Sequence, residues 1–135
     1  MTDASLWVSV LLPEDAHHEA SRAWLTARTY AGQTIVAPWI LFAEVAGAIT
    51  RRTGQPALGA RTLQQLENAP GMQLVQIDAW LGRLAAQLAV QLSLRGADSV
   101  YVAVARRAGI PLVTWDSQQR QRASAIVSTY TPDQT

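Results

Sequence analysis

The sequence has 135 residues, 49% of them hydrophobic, which suits one domain with a substantial core and is too few for two. Eleven arginines and ten acidic residues leave a net charge of +1, so there is little general attraction to nucleic acid or membrane surfaces. Because the chain has no lysine and no cysteine, it excludes a P-loop, a Schiff base, a thiol nucleophile and a zinc–thiolate site.

The first half of the chain alternates between strand-like and helix-like segments that end near Pro or Gly. The segments are an apolar run over residues 3–12, a helix over 15–28, a strand over 34–37, and helices over 39–52 and 56–66. We expect Asp15 to cap the first of these helices. Pro38 suits the first position of the second helix, which is expected to stop at Gly54.

The second half continues the same alternation. Its segments are a strand over residues 72–77, a helix over 79–94, a helix over 96–109, a strand over 111–114, a short helix after residue 116 and a strand over 125–128. Asp78 and Asp116 are the expected caps of two of these helices. The pattern predicts a three-layer α/β/α sandwich over residues 1–135, with a mainly parallel sheet of about five strands.

Four of the ten carboxylates stand out, because each lies where an apolar strand or helix turns or is packed. They are Asp3, Glu44, Asp98 and Asp116. A carboxylate in apolar surroundings costs several kcal/mol unless it is paired, protonated or bound to a cation. Since ligands bind outside the carboxyl ends of parallel strands, where strand-to-helix turns gather, we expect the four to converge on one shared metal site.

Each of these carboxylates also has a purely structural interpretation. Asp98 and Asp116 could be helix N-caps, and Asp3 could be an exposed residue near a terminus. Glu44 resists such an account, because at 100° per residue it lies roughly 40° from Ile40, on the apolar face of its helix. An ion pair with Arg51, at roughly 20° on the same count, is the alternative for Glu44.

Four segments of the chain resemble the four acidic motifs of the PIN domain, in order and spacing, over essentially the whole length. The segments are Asp3-Ala-Ser5, Leu41-Phe-Ala-Glu44-Val-Ala, Gly96-Ala-Asp98-Ser-Val-Tyr-Val-Ala-Val-Ala105 and Leu112-Val-Thr-Trp-Asp116. The resemblance is closest to the small PIN-domain proteins that act as toxins in type II toxin–antitoxin pairs, the VapC-like ribonucleases. It implies a PIN-like fold and hydrolysis of RNA phosphodiester bonds.

The same resemblance implies that the four carboxylates are the catalytic residues and hold Mg²⁺ or Mn²⁺, with Ser5 and Thr114 as polar neighbours of the metal. The chemistry is consistent, because a hard divalent cation prefers oxygen ligands. Bound metal lowers the pKa of a water, orients it and neutralises the leaving oxygen, so no protein nucleophile is required. One ion, or two on the order of 4 Å apart, would both satisfy this pattern.

Two features depart from the family pattern. Only Met1 and Thr2 precede the first Asp, where family members usually have a full apolar strand. Either the central strand is short, or the chain begins downstream of its natural start. The run over residues 117–120 lacks the second acidic residue that some members carry, so a fifth ligand is not expected.

An RNA substrate needs cations and stacking surfaces near the metal site. Arg95, Arg120 and Arg122 lie closest in sequence to the acidic motifs and are candidate RNA contacts, the alternative being ordinary solvated arginines. Trp7 and Trp115 flank acidic motifs, and a base could stack on one of them.

The remaining expectations concern partners and location. His17 and His18 are expected to be surface or partner-contact residues rather than catalytic bases. The excess of apolar residues on short helices predicts a homodimer or a groove for a cognate antitoxin. With no signal segment and no membrane-length apolar run, we expect a cytoplasmic protein that does not bind membranes.

Other functional classes remain for comparison. A receiver-type phosphoryl acceptor would need a lysine, and a haloacid-dehalogenase-like phosphatase would need a D-x-D pair after its first strand; neither pattern occurs. The stronger rival is a catalytically silent PIN-like module that binds RNA or a protein partner.

Overall fold

The computed structural model describes residues 1–134, within which the chain forms seven α-helices and four short strands. The helices are α1 (Ala4–Leu11), α2 (His18–Tyr30), α3 (Ile40–Thr53), α4 (Pro56–Glu67), α5 (Ala79–Leu92), α6 (Gly96–Ala108) and α7 (Ser117–Ala123). The strands are β1 (Ile35–Pro38), β2 (Met72–Val75), β3 (Leu112–Val113) and β4 (Thr129–Tyr130), and a 3₁₀ turn follows at Pro132–Gln134.

The strands form two parallel pairs. β1 pairs with β2, with Ile35 opposite Met72, and β3 pairs with β4, with Leu112 opposite Thr129. The predicted α/β architecture with parallel strands is therefore confirmed. Regular strands number four within residues 1–134, rather than about five.

The first two residues join these two pairs. The Thr2 amide donates to the Val36 carbonyl at 3.0 Å, and the Val113 amide donates to the Met1 carbonyl at 2.8 Å. Thr2 and Val113 form an isolated parallel bridge. The fifth, central position of the sheet is thus held by a two-residue segment.

Helix α1 forms because its first turn is capped and its apolar residues face inward. The Asp3 carboxylate is the N-cap, and Leu6, Trp7 and Val8 are buried. The helix ends at Leu11, and Leu12 is extended, as expected for the residue before a proline. The apolar run over residues 3–12 therefore folds mainly as a helix.

Other boundaries differ from prediction for local reasons. α2 begins at His18, because Asp15 accepts the His17 amide at 3.0 Å in a turn that precedes the helix. Pro38 ends β1 instead of starting α3. Residues 125–128 form a turn after α7, and the last strand follows them at Thr129–Tyr130.

Helix α6 packs against the sheet along a continuous buried stretch. Five residues in succession, residues 101–105, are buried, and the helix contacts α5, β1 and β3. This agrees with the expectation that the uncharged stretch after Asp98 is buried. Gly109 ends α6 in the left-handed conformation, with φ of 63°. No helix within residues 1–134 has the length and apolar character needed to cross a bilayer.

Helices α3 and α4 pack closely at a glycine. A Cβ placed on Gly59 would lie 2.0 Å from the Thr50 hydroxyl oxygen and 3.1 Å from the Ala46 carbonyl oxygen. That hydroxyl donates to the same Ala46 carbonyl at 2.9 Å. Only a residue without a side chain allows this contact.

We therefore expect Gly59→Ala to destabilise the protein. The added methyl group must displace the Thr50 hydroxyl, and overpacking typically costs about 1–3 kcal/mol, more than the roughly 1 kcal/mol gained from helix propensity. Gly82→Ala is the matched control, since Gly82 lies in α5 and a Cβ there meets nothing within 4 Å. Urea unfolding should show a lower midpoint for Gly59→Ala and a higher one for Gly82→Ala; equal midpoints would contradict the close contact.

Candidate active site

The fold brings the four predicted carboxylates into one neighbourhood. Asp3 follows the central segment of the sheet, Asp116 follows β3, and Asp98 lies in the first turn of α6. Burial is the main cause that raises the pKa values of Asp3 and Asp98, and the negative charge of Asp116 adds to the rise of both, as that of Glu44 does for Asp98. The charges are therefore close enough to repel one another.

Asp3 is the most buried of the four, with 5% of its surface exposed. Its Oδ2 accepts the Thr114 hydroxyl at 2.6 Å, and its Oδ1 accepts the Ser5 hydroxyl at 2.7 Å and the Leu6 amide at 3.4 Å. These donors favour the charged form, but burial outweighs them and raises the pKa of Asp3 from 3.8 to about 6. The interpretation of Asp3 as an exposed terminal residue is wrong.

Ser5 and Thr114 connect Asp3 to the loop that carries Asp116. The Trp115 amide donates to the Ser5 hydroxyl oxygen, and the Asp116 amide donates to the Thr114 hydroxyl oxygen, each at 2.9 Å. The two hydroxyl oxygens lie 3.3 Å apart. The first turn of α1 and the loop after β3 are thus fixed to each other through the Asp3 carboxylate.

Asp116 and Asp98 differ in how they relate to their helices. Asp116 caps α7, because its Oδ1 accepts the Gln119 amide at 2.8 Å. Asp98 is not a cap: α6 begins at Gly96, and Arg95 occupies the N-cap position without a side-chain hydrogen bond. Asp116 is therefore a helix cap, as the structural interpretation predicted, whereas the same interpretation is wrong for Asp98.

Burial is the main cause that raises the pKa of Asp98, followed by the charge of Asp116. Arg95 and Arg122 lie near enough to lower it in part. Within residues 1–134 the ion pairs are Arg52–Asp15 at 2.8 Å and Arg107–Asp78 at 3.2 Å. None of the four clustered carboxylates therefore has an arginine bound directly to it.

Glu44 is held by a residue that the sequence argument did not single out. The Tyr101 hydroxyl donates to Glu44 Oε2 at 2.6 Å, and Tyr101 is 1% exposed. Burial, then the charge of Glu44, raises the pKa of Tyr101, so the phenol remains a protonated donor. The expected alternative of a Glu44–Arg51 ion pair is wrong. Helical spacing was the available signal, because Tyr101 lies three residues after Asp98 on the same helix.

Gln119 is a second residue that sequence reasoning missed. Its side chain is 1% exposed, and its Nε2 donates to the Asp98 carbonyl at 3.3 Å. Its Oε1 is buried and accepts no hydrogen bond from the described part of the chain. The contact ties α7 to the first turn of α6, next to two of the carboxylates.

The three arginines predicted to contact RNA take different positions. Arg120 donates to the Thr114 carbonyl at 3.4 Å, and Arg122 donates to the Ser93 carbonyl. Arg95 is exposed at the start of α6. Arg95 and Arg122 lie near enough to Asp98 to act on its charge, and they form the basic edge of the site.

The donor set suits a hard divalent cation, because it consists of carboxylate and hydroxyl oxygens. As arranged, however, no group of three or more His, Asp or Glu side chains in residues 1–134 forms a metal-binding cluster. Asp3, Glu44 and Asp116 instead accept hydrogen bonds from hydroxyl and amide donors. The residue types therefore fit a divalent cation, but no three of these side chains in residues 1–134 converge on one point as they stand.

The chain is similar in sequence pattern and in fold to known proteins. The model of the PIN domain family matches residues 1–125. VapC20 of Mycobacterium tuberculosis, a toxin that cleaves the sarcin–ricin loop, is 19% identical, with 93% of this chain and 95% of that chain covered and a TM-score of 0.74. FitAcB of Neisseria gonorrhoeae is also 19% identical, with 97% and 96% covered and a TM-score of 0.69. No curated protein sequence matches the chain.

The buried Asp3 carboxyl predicts a pH dependence of stability in metal-free buffer. Its folded-state pKa, about 6, lies above the ordinary value of 3.8, so the folded protein binds more protons between these values and its stability falls as pH rises through them. At about 1.4 kcal/mol per pH unit, the full effect is on the order of 3 kcal/mol. Urea unfolding with EDTA at about pH 4 and pH 7 measures it.

Asp3→Asn is the control, because it keeps the cap and removes the titration. The buried amino group of Met1, with its pKa lowered to about 6, contributes a slope of opposite sign that both proteins share. The variant should therefore lose less stability than the wild type over this pH range. An identical pH dependence in both would contradict a buried Asp3 carboxyl with a raised pKa.

Proposed function

This chain belongs to the PIN domain family, and we propose that it is a Mg²⁺- or Mn²⁺-dependent endoribonuclease, the toxin of a type II toxin–antitoxin pair. One observation carries the proposal: four carboxylates lie within electrostatic reach of one another, and none has an arginine bound to it. Such a cluster favours a cation as its missing countercharge.

The neighbours in structure support a nuclease over other activities. VapC20 is a toxin that cleaves the sarcin–ricin loop, and it shares the fold of this chain over nearly its whole length. Because its identity to this chain is 19%, the shared fold does not transfer its target.

Asp3, Glu44, Asp98 and Asp116 would hold the metal, which when bound supplies an activated water and neutralises charge on the leaving oxygen. The chain's own residues prepare the site. Ser5 and Thr114 hold the Asp3 carboxylate in a fixed position, and the Tyr101 hydroxyl orients Glu44.

The basic edge of the site suits a phosphodiester. Arg95 and Arg122 lie near Asp98 and place positive charge next to the carboxylates, where the substrate phosphate would approach. The remaining apolar surface suits protein partners: Tyr30, Trp80 and Val90 are 89%, 56% and 84% exposed. We include a cognate antitoxin and a homodimer in the proposal on this ground.

A silent PIN-like binding module is the second candidate. The observation that favours it is the absence of a preformed metal-binding cluster in residues 1–134. The two functions separate on metal binding, since only the nuclease needs a divalent cation.

We expect millimolar Mn²⁺ to stabilise the protein against heat. A ligand that binds only the folded state at one hundred times its Kd adds about 2.7 kcal/mol. For a domain of this size, that corresponds to an increase in Tm on the order of 10 °C. Melting curves in EDTA, in Mn²⁺ and in sodium chloride of equal ionic strength measure it. Curves that coincide in all three buffers would favour the silent module.

Asp98→Asn should abolish cleavage of single-stranded RNA and keep the fold. The substitution removes one negative charge that is repelled by Asp116 and Glu44, so the variant should melt at the same or a higher temperature without metal. Its stabilisation by Mn²⁺ should shrink. Glu67→Gln, at an exposed position in α4, is the matched control and should behave as wild type. A variant that cleaves RNA like wild type would remove Asp98 from the proposed metal site.

A further inference from the structure

A cleft of about 600 Å³ opens beside the carboxylates, between α1, α3 and the loop that carries Trp115. Ser5 and Glu44 line it at the end nearest the site, and Arg51 and Arg52 line it further along α3. Its volume lies within the range of about 300–1,000 Å³ that is typical of ligand pockets. Nothing in the proposed metal chemistry uses this space beyond Ser5 and Glu44.

Two stacked rings form one wall of the cleft. The imidazole of His17 lies on the indole of Trp115, with ring centroids 3.9 Å apart and an interplanar angle of 9°. Trp115 is held in place, because its Nε1 donates to the Ser21 hydroxyl at 2.7 Å. His17 is exposed, so the face of its ring that does not contact Trp115 is available to a further planar group.

Arg51 supplies the available positive charge. The Arg52 guanidinium forms an ion pair with the Asp15 carboxylate at 2.8 Å, whereas Arg51 forms no ion pair with any described residue. The Arg51 side chain lies along α3 over Gly47, where an added Cβ would come within 3.0 Å of its Nη1. It therefore extends back along the helix toward Glu44 and the carboxylates.

We propose that this cleft is a nucleotide subsite for single-stranded RNA, with the His17–Trp115 pair as the surface on which a base stacks and Arg51 as a contact to a backbone phosphate. The proposal rests on the proposed function and extends it to a nucleotide next to the scissile phosphate. Bases stack on planar side chains whatever their identity, and an arginine beside such a surface is a common phosphate contact. Because the cleft is continuous with Ser5 and Glu44, a strand bound there would lead directly to the carboxylates.

Binding of a short single-stranded RNA, measured by fluorescence anisotropy in millimolar Mn²⁺, tests the subsite. All proteins carry Asp98→Asn, so that the RNA stays intact during the measurement. His17→Ala should weaken binding roughly tenfold, whereas His17→Phe keeps a planar ring and should bind within about twofold of the parent. The His17 side chain makes no capping hydrogen bond to α2, so neither substitution removes one.

An abasic RNA of the same length separates stacking from charge. His17→Ala should bind the abasic strand as well as the parent does, because no base is present to stack. Arg51→Ala should weaken both strands and reduce the slope of log affinity against log salt by about 0.7. Arg61→Ala, at an exposed position of α4, is the control and should change neither.

Cleavage kinetics on the background with Asp98 intact keep this subsite distinct from the nuclease assignment. His17→Ala and Arg51→Ala should raise KM with little change in kcat. If the wild type cleaves RNA and both variants match it in KM and affinity, the subsite is wrong and the nuclease stands. If the wild type does not cleave but RNA affinity still depends on both residues, the nuclease is wrong and the subsite stands. If the two variants keep the RNA affinity of the parent but lose binding to an antitoxin, the cleft is a protein-docking surface. This result also overturns the proposal.

Discussion

The hydrogen bonds from the Ser5 and Thr114 hydroxyls to the Asp3 carboxylate hold the site and the sheet together. Thr114 and Asp3 lie 111 positions apart in sequence, and their contact is only 2.6 Å long. The same carboxylate caps α1, and the same hydroxyls accept the amides of Trp115 and Asp116. One buried acidic group thus sets the position of the first helix relative to the loop after β3.

This arrangement explains how a two-residue segment can occupy the centre of a sheet. Thr2 has one neighbour on each side, through Val36 and Val113, which is too little pairing to hold a strand by itself. The Trp7 indole donates to the Thr2 hydroxyl at 3.0 Å. The next residue, Asp3, is held by the hydrogen bonds of its carboxylate. Side-chain hydrogen bonds therefore replace the ladder that a longer strand would have formed.

The features of the fold that depend on local pattern could be predicted from the sequence. The helices with clear apolar periodicity and a terminal glycine, such as α3 and α6, were predicted within about two residues, because periodicity and capping are local. The apolar run before Pro13 was not resolved, since a short apolar segment fits a strand or a buried helix equally well. Whether Pro38 ends a strand or starts a helix depended on its pairing with β2, which no local signal reports.

For the site, the sequence predicted that the four carboxylates lie close together. It did not predict which side chains contact them. Tyr101 and Glu44 lie 57 positions apart, and Trp115 and His17 meet only in the folded chain. A single sequence carries no record of such contacts. The residue types were visible in each case, but the partners were not, so the choice between Arg51 and Tyr101 as the neighbour of Glu44 required the structure.

The position of the central segment also fixes when the site can form during synthesis. Asp3 and Thr114 lie 111 positions apart, so the contact between them can form only after the intervening chain has been synthesised. Asp116 follows Thr114 in the same loop, so the four carboxylates cannot assemble before the chain has been made as far as this loop. The proposed nuclease would therefore have no complete set of carboxylates on a nascent chain that ends before this loop.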